Sequence, residues 1–306
     1  MRLLKLSGTA MVVAALIAIT AQTLAQENAK VIILGSGTPI PDPSRSGPCV
    51  AVVVNGQAYL FDAGTGVVRQ AEAAAEKFGI AALEATQLTR LFVTHLHSDH
   101  TLGYADLILT PWVVGRHQPL EVYGPQGIAA MTDHLKQAYA ADIKVRTEGL
   151  EHLENAGLAV NVHEIAAAGL VFKDGNVTVR AIAVKHGSWA QAFGYAINAG
   201  GRTIVISGDT VPSEAVVQAC HGCDVLVHEV YSADRFDLLY GSHGQYHKSF
   251  HTSTRELADL ASRAKPKLLV LYHQLFFGPP EEVDLEKEIR RTYSGNVVSG
   301  RDLTEY

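Results

Sequence analysis

His95-Leu96-His97-Ser98-Asp99-His100 follows directly on the apolar run Leu91-Phe92-Val93. Four groups able to bind a metal fall within six residues, at what reads as the end of a buried strand. Side chains alternate faces along a strand, so His95 and His97 point the same way there. The turn that follows can carry Asp99 and His100 to the other side of a shared cavity. Imidazole and carboxylate suit Zn²⁺, with Mn²⁺ and Fe²⁺ as alternatives. A solvated loop with incidental histidines is the competing reading, and it leaves both the spacing and the apolar strand unexplained.

Working outward, the same placement recurs. His186 follows Ile182-Ala183-Val184, Asp209 follows Ile204-Val205-Ile206-Ser207-Gly208, and His273 follows Leu268-Leu269-Val270-Leu271-Tyr272. Any one of them alone is an ordinary polar residue at a strand end. Together with the first motif they describe one metal-binding cavity assembled from several strand ends.

The chain between these points alternates strands and helices. Residues 30–34 are a buried-strand pattern ending in the glycine-rich turn Gly35-Ser36-Gly37-Thr38-Pro39, and the stretch to Pro48 is loop. Residues 50–54 and 58–61 form a hairpin around Asn55-Gly56. Strands follow at 88–93, 120–123, 177–184, 193–199, 203–207, 225–227 and 267–271, and helices at 67–78, 127–139, 213–219 and 254–264. Strands 193–199 and 203–207 pair across Gly200-Gly201. No linker divides the chain. The expected architecture is one α/β domain over residues 26–306, with two sheets between helical layers.

Of the 306 residues, 47% are hydrophobic and 18% charged, enough apolar material for a substantial core, and the net charge is −6. No cluster of lysine and arginine supplies the basic footprint of a sequence-independent nucleic-acid binder. Bulk nucleic acid is therefore excluded as an expected partner. Residues 1–25 have the pattern of a secretory signal: Arg2 and Lys5, an apolar run from Ala10 to Ala21, then Thr23-Leu24-Ala25 as a cleavage site. The run is shorter than the ~20 residues of a membrane span. The expectation is a periplasmic or secreted protein, with no membrane association after cleavage. Cys220 and Cys223 form a lone C-x-x-C that could bridge in an oxidising compartment, but it fits small apolar residues flanking a turn somewhat better, and Cys49 is unpaired either way.

The pattern resembles the metallo-β-lactamase superfamily over nearly the whole mature chain, and most closely its ribonuclease Z-like branch, which includes phosphodiesterases and arylsulfatase-like enzymes. The matching stretches are Leu34 to Pro39, Phe61-Asp62-Ala63-Gly64, the HLHSDH run, Val122-Tyr123-Gly124-Pro125, His186 with Phe193-Gly194-Tyr195, Ser207-Gly208-Asp209-Thr210, His228-Glu229, His251-Thr252-Ser253 and Tyr272-His273. The resemblance implies an αββα sandwich and two divalent metal ions, zinc first among the candidates. His95, His97 and His186 would bind one ion, Asp99, His100 and His273 the other, and Asp209 would bridge them. Asp99, Glu229 and His251 are the residues expected to take part in catalysis, with Glu229 and His251 helping to protonate the leaving group.

Two such ions can share one hydroxide, which attacks in line with the departing oxygen. An imidazolium at His251, held by Glu229, would protonate that oxygen, for ~10²–10⁴-fold in rate. Asp62 is either a partner for a ligand histidine or a plain buried aspartate. His117, His134, His152, His163 and His221 are expected at the surface. His243 and His247 are candidates for the pocket mouth, and Trp189, Phe193, Tyr231 and Tyr240 for an aromatic substrate wall. The segment 140–168 carries no arm rich in glycine, proline and lysine of the kind that grips tRNA. The expected substrate is accordingly a small-molecule ester, a phosphodiester or aryl sulfate. A lactonase, another ester or amide hydrolase, or a non-catalytic metal-binding module are the alternatives. A β-lactamase is disfavoured because Asp209 stands where those enzymes carry cysteine or serine. Oligomeric state is open, and a homodimer is compatible with the chain.

Overall fold

The computed structural model describes residues 29–240 and 244–306. The expected signal segment, 1–25, and His243 lie outside the described residues. No helix among the described residues is long and apolar enough to cross a membrane.

Two seven-stranded sheets lie face to face between layers of helix. The first is built from β1 (Lys30–Gly35), β2 (Cys49–Val54), β3 (Gln57–Phe61), β4 (Arg90–Phe92), β5 (Leu120–Gly124), β6 (Val160–Glu164) and, at its other edge, β14 (Thr304–Glu305), in the order β14-β1-β2-β3-β4-β5-β6. The second holds β7 (Gly169–Lys173), β8 (Val177–Ala183), β9 (Phe193–Ala199), β10 (Arg202–Ile206), β11 (Val225–Tyr231), β12 (Leu269–Leu275) and β13 (Val297–Ser299), in the order β13-β12-β11-β10-β9-β8-β7. In each sheet one half is antiparallel and the other parallel, with the change at β3/β4 and at β10/β11.

Strand alternation explains the layers. In β1, Val31 and Ile33 face the second sheet, where they join Phe61, Phe92, Tyr195, Ile206 and Tyr272 in the central core. Ile32 and Leu34 face the other way, against α1 (Val67–Phe78) and α3 (Tyr104–Val113). Beyond the second sheet, α6 (Glu214–Cys220) and α9 (Thr254–Ala264) cover Val205, Leu226 and Leu269. A strand buried on both faces must be apolar at nearly every position, which is why β1, β2 and β11 carry continuous runs rather than alternation. Ser253 and Glu256 close a reciprocal capping box at the start of α9 and so fix where the chain leaves the site for that helix.

Several elements exceed the expectation. Segment 140–168, to which the sequence assigns no element, contains α5 (Ala140–Glu148) and β6, and α5 has no buried residue to produce a helical stripe. The helix α3 is apolar over most of its surface and contains Pro111, so neither period nor breaker rules mark it. Cys220 and Cys223 are joined in a disulfide, and Cys49 is free and buried.

Candidate metal centre

The parallel strands of both sheets end at one edge of the sandwich, and every expected ligand lies there. β4 stops at Phe92, but the Val93 N–H still reaches Tyr123 O, so the chain runs extended into His95. Asp99 and His100 sit in α2 (Ser98–Thr101), a single turn that starts directly after His97. Gly208, at φ 60°, turns the chain after β10 to present Asp209; a Cβ there would lie 2.6 Å from Phe193 O. His273 lies within β12. The register with β11 slips between Glu229–Tyr272 and Val230–Gln274, so His273 is the extra residue of a bulge, at φ 44°. A bulge re-aims one side chain, and here it aims an imidazole into the cavity.

His95 Nε2 and His186 Nε2 each lie 3.0 Å from His97 Nδ1. Across the cavity, His273 Nε2 lies 3.1 Å from Asp99 Oδ2 and 3.3 Å from Asp209 Oδ2, and His100 Nε2 3.5 and 3.4 Å from the same two oxygens. Asp209 Oδ2 is also 3.9 Å from His186 Nε2 and so stands between the two groups. Ring nitrogens at this spacing suit one cation with Zn–N bonds of ~2.0–2.1 Å.

The surrounding hydrogen bonds set the tautomers. Asp62 Oδ1 accepts the Thr94 N–H at 2.7 Å, and Oδ2 accepts both Thr94 Oγ1–H at 2.9 Å and His100 Nδ1–H at 2.8 Å. With its hydrogen spent on Asp62, Thr94 Oγ1 accepts from His95 Nδ1, 3.0 Å away. Phe250 O accepts from His186 Nδ1 at 2.7 Å. His95 and His186 are thereby left with Nε2 lone pairs facing the cavity, and His100, whose Nδ1 hydrogen Asp62 holds, turns its Nε2 toward the same space. Asp62 is thus the partner of a ligand-type histidine, not a plain buried aspartate.

The cluster also needs positive charge. Burial disfavours a charged His100, but Asp209 and Asp62 outweigh it and push its pKa well above the ordinary value. Burial likewise opposes ionised Asp209, yet His273 and His100 hold it well below the carboxylate range. Burial pushes His186 down to about 4. Asp209 Oδ1 and His100 Nε2 are buried without a hydrogen-bond partner among the described residues. Two carboxylates with their ring nitrogens, together with such orphaned atoms, are a donor set suited to divalent metal ions.

His251 and Glu229 meet beside this cluster. His251 Nδ1 is 3.3 Å from Glu229 Oε2 and 3.8 Å from Asp209 Oδ2, while Glu229 Oε1 accepts the Thr252 N–H at 2.6 Å. Burial pushes His251 down to about 4, and burial together with Asp209 pushes Glu229 well above its ordinary value. Burial thus disfavours the charged ring at His251, while the 3.3 Å contact puts Glu229 Oε2 within reach of its Nδ1.

His117, His134, His152, His163 and His221 are exposed. Of the expected aromatic wall, Tyr240 lines the cavity, whereas Phe193 and Tyr231 are core residues. Trp189 donates its indole N–H to His97 Nε2 at 2.8 Å. His247 lines the cavity as well, beside Tyr246 and Phe277, which carry no sequence signal.

A family model described as a β-lactamase superfamily domain matches residues 57–274. Ribonuclease Z of Mycobacterium bovis (strain BCG / Pasteur 1173P2) is 34% identical over 278 residues, covering 90% of this chain and 96% of the relative. Ribonuclease Z of Mycobacterium sp. (strain KMS) is 33% identical over 277 residues, covering 90% and 94%. The crystal structure of the short form of human tRNase Z superposes with TM-score 0.66 at 25% identity, over 90% of this chain and 98% of that one. A metallo-β-lactamase fold protein from Bacillus subtilis superposes with TM-score 0.68 at 18% identity, over 92% and 100%, a likeness of fold alone.

These findings overturn the expectation of a small-molecule ester substrate and no nucleic acid, because relatives matching 90% of the chain are named as ribonucleases. The physical error lies in the charge argument. A net charge of −6 sums over the whole surface. What a substrate meets is the cavity, where the local charge is set by its own buried residues and by whatever ion they hold.

Proposed function

The chain belongs to the β-lactamase superfamily and is a relative of the ribonuclease Z proteins, and from that premise we propose that it is a metal-dependent phosphodiesterase acting on RNA. The observation that carries this reading is the 34% identity to ribonuclease Z across 90% of the chain. His95, His97 and His186 would hold one divalent ion, Asp99, His100 and His273 a second, and Asp209 would serve both; zinc suits this mixture of imidazole and carboxylate. Such ions lower the pKa of bound water and neutralise charge on a phosphoryl oxygen.

The chain's own residues do the rest. Asp62, Thr94 and the Phe250 carbonyl hold the ligand rings in the tautomer that points lone pairs into the cavity. A leaving alkoxide needs a proton, and the His251 Nδ1–Glu229 Oε2 pair holds one beside Asp209. Thr252 N–H, donated to the other Glu229 oxygen, keeps that carboxyl aimed at His251.

Phosphodiesters are preferred over sulfate esters and lactones because the relatives are ribonucleases by name. The test is a panel on purified, metal-analysed protein: a 3′-extended RNA hairpin, bis-p-nitrophenyl phosphate, p-nitrophenyl sulfate, a lactone and nitrocefin. Cleavage of RNA and phosphodiester that stops on chelation supports the reading. Turnover confined to the sulfate, the lactone or nitrocefin refutes it. We also propose that the protein works after export. The pattern of residues 1–25 and the Cys220–Cys223 disulfide support this, because such bridges persist in oxidising compartments. Native protein recovered in the cytoplasm with Met1 intact would contradict export.

A further inference from the structure

The cavity over the metal centre has a volume of about 350 Å³, at the small end for a ligand site. Its floor is His97, Asp99, Asp209, His251 and His273. It has a second wall that the chemistry above leaves unused, and that wall is aromatic. Tyr240 and Phe277 ring centres are 5.4 Å apart, Tyr240 and His247 5.3 Å, His247 and Phe277 4.8 Å, and Tyr246 and His247 5.1 Å. The four rings thus form one connected surface. Tyr240 is 37% exposed and Tyr246 57%, a large exposure for two rings beside a buried metal-binding cluster. No lysine or arginine is among the described residues that line the cavity. The wall therefore offers no grip for a second phosphate, and an uncharged flat group is what it complements.

We propose that this wall is a nucleobase subsite: the base next to the scissile phosphate stacks on Tyr240 and Tyr246. The inference rests on the phosphodiesterase reading and names the part of the substrate that the metal centre does not hold. Single-stranded RNA is recognised in this way, by splayed bases stacked on aromatic side chains. Stacking is tolerant of base identity because every base has a π-face, so the subsite selects for the presence of a base and not for its sequence. Tyr246 is backed by a stacked Phe250 ring at 4.4 Å and Tyr240 by Phe236 at 5.3 Å, which lowers the ordering cost that free side chains would pay.

The experiment compares thymidine 3′- and 5′-(p-nitrophenyl phosphate) with methyl p-nitrophenyl phosphate, which share a leaving group but differ in carrying a nucleoside or a methyl group; the ring variants then isolate the part owed to the base. In the parent, kcat/KM favours at least one of the nucleoside esters. In Tyr240→Leu/Tyr246→Leu that preference falls roughly tenfold to a hundredfold, the loss expected of one stacked base. Tyr240→Phe/Tyr246→Phe keeps the rings and retains the preference. A preference equal in the parent and the leucine variant overturns the proposal, as does a phenylalanine variant that loses as much as the leucine one. Should no phosphodiester be turned over at all, the underlying reading fails and the subsite is still judged by calorimetry with thymidine monophosphate. The leucine variant then binds it at least tenfold more weakly if the wall stacks bases, and equal affinity in both proteins overturns the proposal.

Discussion

Asp62→Asn changes one atom behind the cavity and reverses both hydrogen bonds that Oδ2 accepts, from Thr94 Oγ1–H and from His100 Nδ1–H. Asp62 holds a left-handed backbone, φ 64°, which asparagine also tolerates, so the fold around it does not object. Asn Oδ1 can still accept the Thr94 N–H that lies 2.7 Å from Asp62 Oδ1. Its amide nitrogen then takes the place of Oδ2 and points N–H at His100 Nδ1, which now donates to that position at 2.8 Å. To avoid two donors face to face, His100 must move its hydrogen to Nε2, the atom 3.5 and 3.4 Å from Asp99 and Asp209. A ring nitrogen carrying that hydrogen cannot ligate. The flipped amide is worse, because the Thr94 backbone N–H can only donate. Loss of a hydrogen bond to a charged group costs ~1.5–3 kcal/mol, and removing such a support for a ligand costs roughly 10- to 100-fold in metal affinity. The expected outcome is a loss of that size for the ion held by Asp99, His100 and His273. A smaller loss should reach the His95, His97 and His186 group through Thr94 Oγ1, which lies 3.0 Å from His95 Nδ1. Zinc titration against a chromophoric chelator resolves the two steps. If both affinities match those of the parent, the tautomer argument is wrong.

Further outcomes follow from the same geometry. His251→Ala should lower kcat/KM by ~10²–10⁴-fold for phosphodiesters with poor leaving groups and far less for p-nitrophenyl esters, with metal content retained and Glu229→Gln acting as a weaker copy; an unchanged dependence on leaving-group basicity would exclude His251 as the proton donor. Trp189 should report metal loading. Its N–H needs a lone pair on His97 Nε2, whereas ligation through Nδ1 puts a hydrogen there, so adding zinc must break the 2.8 Å contact and shift tryptophan emission. Trp189→Phe should abolish the shift, since the other tryptophan, Trp112, is buried and bonded to Glu154 O; a shift that survives in this variant refutes the assignment. Unfolded, unreduced protein should titrate as one thiol, from Cys49, and reduced protein as three; three thiols before reduction would exclude the bridge.

The cluster of candidate ligands was legible because chemistry and geometry coincide in it. His95 and Asp209 each follow a strand whose last residues are buried and apolar, and His186 follows β8, whose end is apolar although its exposed face carries Arg180, so an apolar stretch ending in a ligand-type residue marks both the strand and the site. His273 was found for the same reason, although its real position is inside β12 on a bulge, and a bulge leaves no mark in the sequence. The Glu229–His251 pair came from resemblance, since residues 22 apart share no local pattern. Tyr246 and Phe277 were missed for a related reason. A single aromatic residue is more often core than wall, as Phe193 and Tyr231 are, and only the cavity distinguishes the cases.

Polar constellations are specified by short-range chemistry, and each ligand must be a particular atom at a particular place. The substrate is specified by surfaces that many sequences could provide, which is where the charge argument went astray. The −6 net charge sums formal charges over the whole chain, and exposed ion pairs such as Arg146–Asp142, Arg255–Asp237 and Arg263–Glu214 cancel within it. Exposed pairs of this kind are screened within about 10 Å at 0.1 M salt. The buried carboxylates Asp99 and Asp209 act over a few ångströms on whatever occupies the cavity, and divalent ions held there would invert their sign for an incoming anion. For a site of this kind, the charge that decides whether nucleic acid can enter belongs to a handful of buried residues and their ions, and the total over the chain says nothing about it.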